Sequence, residues 1–427
     1  MNGLIIKLKG LLERYKVYYQ SASLYLLPTV IMTAVKVVTN PFMARNLSPE
    51  DYAVMGYFSS FIIIFQQILN FSVITYFLAN YYKIPEKRRQ IVSDTILIAL
   101  LVYGFVALVV LYAVFYFYSR WSEVSLAFFP YALLTYAPIY FTSFMTLYLV
   151  KCRLTREAGK FSKLTIFNGL FSVILAILLV IIYKFGATGA LLSGLIASVI
   201  TGAYCFKQLF GKFQFDFTVI KDAFHFGWPL SLLGILTYFS TGIDRAMLER
   251  LNDTYTLGFY SVGLQMGGYF MLFYSAIAQT FEPDIYKAIA EDNKRKLAKI
   301  IAGIVSLNAI PNIIFIVFAP LIIGLLTYGR YTDASSFAQI LALKNITVSI
   351  AYSIGVVVVG YGYNKSALVI GIFKAALFTV MFKFMISHFG FYGAAWGQVL
   401  SYVIAAFLSI ILLFFKFKYY RIGVFKK

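Results

Sequence analysis

Apolar residues run along this chain in stretches long enough to cross a bilayer, and short polar segments separate them. A transmembrane helix needs about 20 predominantly apolar residues. By that rule the sequence predicts twelve spans, near residues 22–44, 53–80, 91–118, 125–150, 164–183, 189–206, 223–247, 258–281, 300–327, 337–362, 367–387 and 391–415. The expected fold class is an all-α integral membrane protein.

Composition supports this prediction, because 61% of the residues are hydrophobic and only 13% are charged, whereas soluble domains carry about 25% charged residues. The net charge of +20 does not indicate a nucleic-acid partner, since such a surface gathers its basic residues on one face or motif. Here they are spread over the loops. The two cysteines, Cys152 and Cys205, have no metal-ligand spacing, and we predict no metal and no cofactor.

Lysine and arginine are distributed unevenly between the two sets of loops. If both termini are cytoplasmic, the cytoplasmic segments hold 27 of these residues and the opposite side holds five. Positive charge is retained on the cytoplasmic side, so the sequence predicts a multi-pass membrane protein with both ends inside. Residues 1–21 are expected to lie as a helix in the cytoplasmic interface.

A short motif occurs twice, at an offset of 204 residues. Its copies are Phe185-Gly186-Ala187-Thr188-Gly189-Ala190 and Phe389-Gly390-Phe391-Tyr392-Gly393-Ala394. We therefore expect two six-helix lobes, 22–206 and 223–415, joined by a cytoplasmic linker at 207–222 and followed by a basic tail at 416–427. An even number of spans in each half predicts a pseudo-two-fold axis along the membrane normal.

Five basic residues fall inside predicted spans: Lys36, Arg245, Lys344, Lys374 and Lys383. A charge at the bilayer centre costs at least about 2.5 kcal/mol, so such residues usually face a watery cavity or a partner. Arg245 and Lys383 lie near span ends, where snorkelling is an equally good interpretation. Arg245 has a further alternative, a pair with Glu249 one turn away.

Few acidic residues accompany these cations. Asp244 lies inside a span, while Asp94 is expected in the first turn of its helix, where the helix dipole favours a carboxylate. The interior is thus net positive. The candidate substrate-binding residues are Lys36, Asn40 (one turn after Lys36), Asp244, Arg245, Lys344, Lys374 and Lys383.

Several motifs resemble those of the multidrug/oligosaccharidyl-lipid/polysaccharide (MOP) exporter superfamily, in particular its Wzx-like O-antigen flippases. They include Asp244-Arg245, then Gly258-Phe259-Tyr260-Ser261, Pro283 and Tyr286, Arg45-Asn46-Leu47-Ser48, and the two glycine hairpins. Ala53 stands where that family usually has glycine. The resemblance implies a two-lobed fold with a central cavity and alternating access. It also implies a location in a bacterial inner membrane. The implied substrate is an undecaprenyl-pyrophosphate-linked oligosaccharide, for lipopolysaccharide synthesis.

Other functions remain as alternatives. A cation-coupled multidrug or toxin exporter of the same superfamily would call for buried acids, whereas this interior is rich in lysine. A glycan polymerase or glycosyltransferase would need catalytic residues, and the sequence has no nucleophile–base pair, metal cluster or phosphate-binding glycine loop, so we do not predict an enzyme. The sequence leaves open which glycan is carried and whether protons, sodium ions or the membrane potential drives the cycle.

Overall fold

The computed structural model describes residues 27–28, 30–211, 214–361 and 364–421, and these are helical along nearly their whole length. The predicted interfacial segment 1–21 and the end of the basic tail, 422–427, lie outside the described residues. The helices are α1 (30–46), α2 (Pro49–Ser60), α3 (Ile62–Asn70), α4 (Val73–Asn80), α5 (Glu86–Trp121), α6 (Tyr131–Leu154), α7 (Ala158–Ile177), α8 (Gly186–Leu209), α9 (Phe217–Thr241), α10 (Ile243–Glu249), α11 (Thr254–Ala290), α12 (Lys294–Leu326), α13 (Ala334–Gly360) and α14 (Asn364–Arg421).

Among the described residues, each predicted span lies mainly on helix, and the predicted fold class, an all-α membrane protein, is confirmed. Within the described residues, eight helices are long and apolar enough to cross a membrane, or nine if α9 and α10, which meet at a 47° bend, form one span. The last two predicted spans both lie in α14, which breaks at Gly390. The protein therefore passes through the membrane several times.

The second predicted span, 53–80, is not one helix. It consists of α2, α3 and α4, and the break before α4 places Phe71 and Ser72 at φ 39° and 56°. Left-handed backbone is uncommon for residues other than glycine, and it ends the run of helical hydrogen bonds. α2 itself begins at a capping box in which Ser48 and Asp51 bond each other's backbone N–H groups.

The chain divides into two compact units. Unit 1 comprises Met1–Asn46, Ile64–Glu123 and Ala127–Leu232, and unit 2 comprises Leu47–Ile63, Val124–Leu126 and Leu233–Lys427. Within unit 2, α2 packs against α11 so closely that a Cβ at Gly258 would lie 2.1 Å from the Pro49 carbonyl oxygen. This contact holds an early segment of the chain inside unit 2.

The two copies of the repeated glycine motif adopt the same turn. Gly186 in unit 1 and Gly390 in unit 2 both have φ 55°, a conformation that glycine adopts without steric cost. Three residues later, Gly189 and Gly393 press against the preceding helix: an added Cβ would lie 3.1 Å from the Leu179 carbonyl oxygen and 1.9 Å from that of Met385. Each motif therefore builds a close helical hairpin.

Candidate functional site

Three helices of unit 2 place polar side chains around one buried carboxylate. The Tyr260 hydroxyl of α11 donates to Asp244 Oδ2 of α10 at 2.6 Å, and Gln398 Nε2 of α14 donates to the same oxygen at 2.7 Å. Gln398 Nε2 also lies 3.0 Å from the Tyr260 hydroxyl oxygen. All three residues are at most 1% exposed. We call this group, Asp244, Tyr260 and Gln398, the Asp244 node.

The node retains unused hydrogen-bonding capacity. Asp244 Oδ1 is buried and has no hydrogen-bond partner among the described residues. The Arg245 Nε lies 3.8 Å from this oxygen and likewise lacks a hydrogen bond there. Buried polar groups are almost always paired, so these two atoms are exceptions within the described residues.

Arg245 is anchored by its other nitrogen atoms. Nη1 lies 3.1 Å from both the Gly56 carbonyl oxygen and Ser59 Oγ of α2, and Nη2 donates to the Thr241 carbonyl oxygen at 2.8 Å. Its side chain is 12% exposed. The arginine thus binds the backbone of a neighbouring helix rather than extending along the helix surface.

Glu249, the alternative partner considered for Arg245, binds elsewhere. Its Oε1 accepts hydrogen bonds from the Ser125 backbone N–H at 2.7 Å and from Ser125 Oγ at 2.8 Å. This buried carboxylate secures the short segment Val124–Leu126 within unit 2.

Lys344 of α13 is half-buried, and its charge interacts electrostatically with those of Asp244 and Arg245. Within the part of the chain that the structure describes, its ammonium makes no hydrogen bond and no ion pair. The cluster of Asp244, Arg245 and Lys344 carries two positive charges and one negative charge, so it favours a bound anion or an anionic group of a substrate.

A cavity of about 510 Å³ lies among α9, α11, α13 and α14 of unit 2. Its apolar wall includes Leu236, Val356 and Phe378, and its volume is within the range of small-molecule sites. The polar side chains that line it are Thr237, Ser240, Glu282, Tyr286, Tyr352, Lys374, Tyr402 and Ser409.

Charges of both signs reach this cavity. Lys374 is half-buried, and among the described residues its ammonium has neither a hydrogen bond nor an ion pair. Glu282 accepts a long hydrogen bond of 3.3 Å from the Tyr286 hydroxyl. The unpaired lysine and the surrounding hydroxyl and aromatic groups suit an anionic, hydroxyl-rich ligand.

The cavity and the Asp244 node are neighbours along two helices. On α14, Tyr402 lines the cavity and Gln398, one turn earlier, bonds Asp244. On α13, Ala351 and Tyr352 line the cavity. Lys344 lies seven residues before Ala351, about two helical turns, and is therefore on the same face of the helix. We call these polar residues of α13 and α14, namely Lys344, Tyr352, Lys374, Gln398 and Tyr402, the polar track of unit 2.

The other predicted site residues are not members of this track. Lys36 is exposed on α1 in unit 1, and Asn40, one turn later, is 3% exposed. Lys383 is exposed on α14 and does not line the cavity. The structure thus brings Asp244, Arg245 and Lys344 together and adds Gln398 and Glu282, which the sequence analysis did not select.

Comparison with known proteins places this arrangement in context. A sequence model of a family described as "Polysaccharide biosynthesis protein" matches residues 19–287. The "Capsular polysaccharide biosynthesis protein CapF" of Staphylococcus aureus is 26% identical over 274 residues, which span 58% of this chain and 65% of that protein, just under two thirds of its length.

Two solved structures share the fold over most of the chain. One is an inward-facing multidrug resistance MATE family transporter of the MOP superfamily, with a TM-score of 0.71, 15% identity, and coverage of 94% of this chain and 96% of that chain. The other is the lipid II flippase MurJ in an inward closed conformation, with a TM-score of 0.71, 14% identity, and coverage of 91% and 87%. At these identities the likeness shows the fold alone.

Proposed function

Because the chain belongs to the polysaccharide biosynthesis protein family, we propose that it is a flippase that carries a lipid-linked anionic oligosaccharide across the bacterial inner membrane by alternating access. The substrate class is an undecaprenyl-pyrophosphate glycan such as an O-antigen repeat unit. It moves from the cytoplasmic to the outer leaflet, and both termini of the protein are cytoplasmic. A proton or sodium gradient or the membrane potential supplies the driving force.

The observation that carries this proposal is the pair of unpaired lysines on one polar track, at Lys374 in the cavity and Lys344 beside Asp244. Placing an ammonium at membrane depth is costly unless it gains a partner, and Coulomb attraction strengthens as the dielectric constant falls. A phosphate or an acidic sugar satisfies that requirement. Hydroxyl groups of the sugar suit Ser240 and Thr237, and Tyr352 offers an aromatic ring.

The first test of the function is complementation of a strain that lacks its O-antigen flippase. We expect Lys374→Ala to reduce surface glycan at least tenfold and to leave lipid-linked glycan inside, because the cavity loses its unpaired cation. Lys374→Arg, which keeps the charge, should retain part of the activity. The matched control is Lys383→Ala, which removes an exposed lysine from the same helix and should be mild.

Protein amounts in the membrane must be equal across these variants. Failure of the unmodified chain to restore surface glycan, or full activity of Lys374→Ala, would each count against the proposal in its present form.

The proposed orientation has its own test. In a background without Cys152 and Cys205, a Thr332→Cys variant should react with a membrane-impermeant thiol reagent in intact cells, whereas Lys294→Cys should react only after lysis. The asymmetry of positive charge predicts this result. The reverse pattern of labelling would require the opposite direction of transport.

A second function is favoured by one observation, the Glu282 carboxylate in the same cavity. A carboxylate there could hold a lipophilic cation, as a multidrug or toxin exporter coupled to a cation requires. Efflux of a cationic dye by cells that express the chain, abolished by Glu282→Gln and unaffected by Lys374→Ala, would establish this alternative.

A further inference from the structure

Unit 2 contains a second buried polar network, distinct from the Asp244 node. Asn308 and Asn312 of α12 and Asn345 of α13 are at most 1% exposed. Asn308 Nδ2 donates to the Asn345 carbonyl oxygen at 3.0 Å, and Asn312 Nδ2 donates to the Asn308 carbonyl oxygen at 2.8 Å. Asn345 Nδ2 in turn lies 3.2 Å from Asn312 Oδ1. We call these three residues the asparagine clasp.

The clasp also reaches α11. Asn345 Nδ2 donates to the Gly267 carbonyl oxygen at 2.8 Å. α11 and α13 approach closely here, because a Cβ at Gly263 would lie 2.8 Å from that of Phe337, and a Cβ at Gly267 would lie 3.5 Å from that of Leu341. Small residues permit such approach between membrane helices. Asn345 is therefore bonded to both α11 and α12.

Stability alone does not account for the clasp. Asn345 Oδ1 is buried without a hydrogen-bond partner among the described residues, and an unpaired buried acceptor is unfavourable. Well-packed apolar side chains can stabilise such an interface equally well or better. Hydrogen bonds, unlike apolar contacts, depend on direction. The bonds of Asn345 can therefore form at only one rotation of α13 about its own axis.

That rotation determines where the adjacent residue points. Consecutive residues of an α-helix are separated by 100°, so Lys344 projects to the side of Asn345, along the face that carries Ala351 and Tyr352 in the cavity wall. A slip of α13 by one residue would turn Lys344 away from Asp244 and Arg245.

We propose that the asparagine clasp positions Lys344: by fixing the rotation of α13 against α11 and α12, it fixes the direction in which the Lys344 side chain leaves the helix. Asn308, Asn312 and Asn345 are positioning residues that act through Lys344 and do not contact the substrate. The role of Lys344 in transport rests on the proposed function, whereas its positioning does not.

The test is a double-mutant cycle on thermal unfolding of the purified full-length protein. Lys344→Gln, Asp244→Asn and the double variant measure the coupling between the two side chains, since the effects of residues that interact deviate from additivity. We expect clear coupling with the native clasp, and at least a twofold smaller coupling when the cycle is repeated with Asn345→Leu. The matched control is Ser349→Ala on the same helix, because among the described residues Ser349 Oγ bonds the Ile346 carbonyl oxygen of its own helix and no other group.

Undiminished coupling in the Asn345→Leu background would overturn the proposal, as would an equal loss with Ser349→Ala. If Asn345→Leu does not fold, the cycle is run with Asn312→Ser, which removes one clasp amide and leaves a small polar side chain. This measurement needs no substrate. If the chain fails to restore surface glycan but the coupling between Lys344 and Asp244 still depends on the clasp, the proposed function is refuted. The proposal that the clasp positions Lys344 then still stands.

Discussion

Each unit buries an aspartate that accepts a hydrogen bond from a glutamine side chain. Asp94 in unit 1 accepts from Gln90 Nε2 at 2.7 Å, and Asp244 in unit 2 accepts from Gln398 Nε2 at 2.7 Å. In both cases the second carboxylate oxygen is buried without a hydrogen-bond partner in the described structure. Both also interact electrostatically with a lysine on another helix, Lys151 for Asp94 and Lys344 for Asp244.

The two sites differ in what surrounds the carboxylate. Gln90 is on the same helix as Asp94, and it also accepts from Lys151 Nζ at 3.1 Å, so the lysine of unit 1 is paired. The segment after α8 covers the site, since a Cβ at Gly211 would lie 2.7 Å from Asp94 Oδ2. We interpret this site as an anchor for that segment.

The Asp244 site is assembled from more distant parts of the chain. Its donors come from α11 and α14, its lysine lies on α13 without a hydrogen bond among the described residues, and a cavity adjoins it. Since both units contain a buried aspartate bonded to a glutamine, such a pair is not in itself a sign of function. The unpaired cation and the adjoining cavity make the difference.

The largest effect should come from neutralising the two aspartates in turn. Asp244→Asn leaves Arg245 and Lys344 without a compensating charge, and breaking a buried pair costs about 3 kcal/mol or more. We expect reduced thermal stability and at least a tenfold loss of surface glycan. Asp94→Asn keeps Lys151 bonded to Gln90, so a loss of about 1 kcal/mol and near-normal transport are expected. Greater damage to transport from Asp94→Asn would reverse the comparison.

A smaller effect should distinguish the two lysines. Lys344→Met removes an unpaired cation from the polar track and should lower the rate of glycan display severalfold while the melting temperature stays constant or rises. Lys151→Met breaks a bond to Gln90 and should lower the melting temperature with little change in display. Equal effects of both substitutions on display, at matched protein levels, would remove the functional distinction between the sites.

The smallest effect concerns pH at the segment anchored in unit 1. Hydrogen bonds from Thr218, and then from Arg88, hold the pKa of the Asp216 carboxyl below its ordinary value of 3.8. A lowered pKa means that this carboxylate stabilises the folded state above pH 3.8, and that the contribution is lost as pH falls through the lowered value. Hydrogen exchange at residues 214–218 should therefore be protected at neutral pH and accelerate in acid.

Asp216→Asn is the control for that measurement. It should remove the acid-dependent part of the exchange and leave exchange within α5 unchanged. If the pH profile of the variant matched that of the native chain, another group would be responsible for the titration.

The sequence predicted the fold well, because spans are marked by composition. The polysaccharide biosynthesis family model matches the chain, and its fold is shared with a transporter of the MOP superfamily. It failed where packing between distant segments decides the structure. Asp94 was expected in the first turn of its helix, which was wrong: α5 begins at Glu86, two turns earlier. The helix break at Phe71 and Ser72 could not be predicted, because neither position is a glycine or a proline. Instead Gly227 of α9 allows close approach, as a Cβ there would lie 2.2 Å from the Phe71 carbonyl oxygen.

The candidate site was predictable only in part. A charged residue inside an apolar span is conspicuous in the sequence. Asp244, Arg245, Lys344 and Lys374 were selected as candidate site residues for that reason. Gln398 is separated from Asp244 by 154 residues, and an amide in a span carries no signal that names its partner. A single sequence identifies the charged residues of such a site. It does not show which of them pair with one another and which remain without a partner.

The glycine hairpins have a consequence for biosynthesis. Between the π-helical turn that follows α7, Leu178–Ile182, and the start of α8 at Gly186, only three residues remain, and α14 turns at Gly390 without any loop. A helix pair joined so tightly exposes few unbonded backbone groups to hydrocarbon during membrane insertion. Each pair can therefore enter the bilayer from the ribosome as one preformed element, once in each half of the nascent chain.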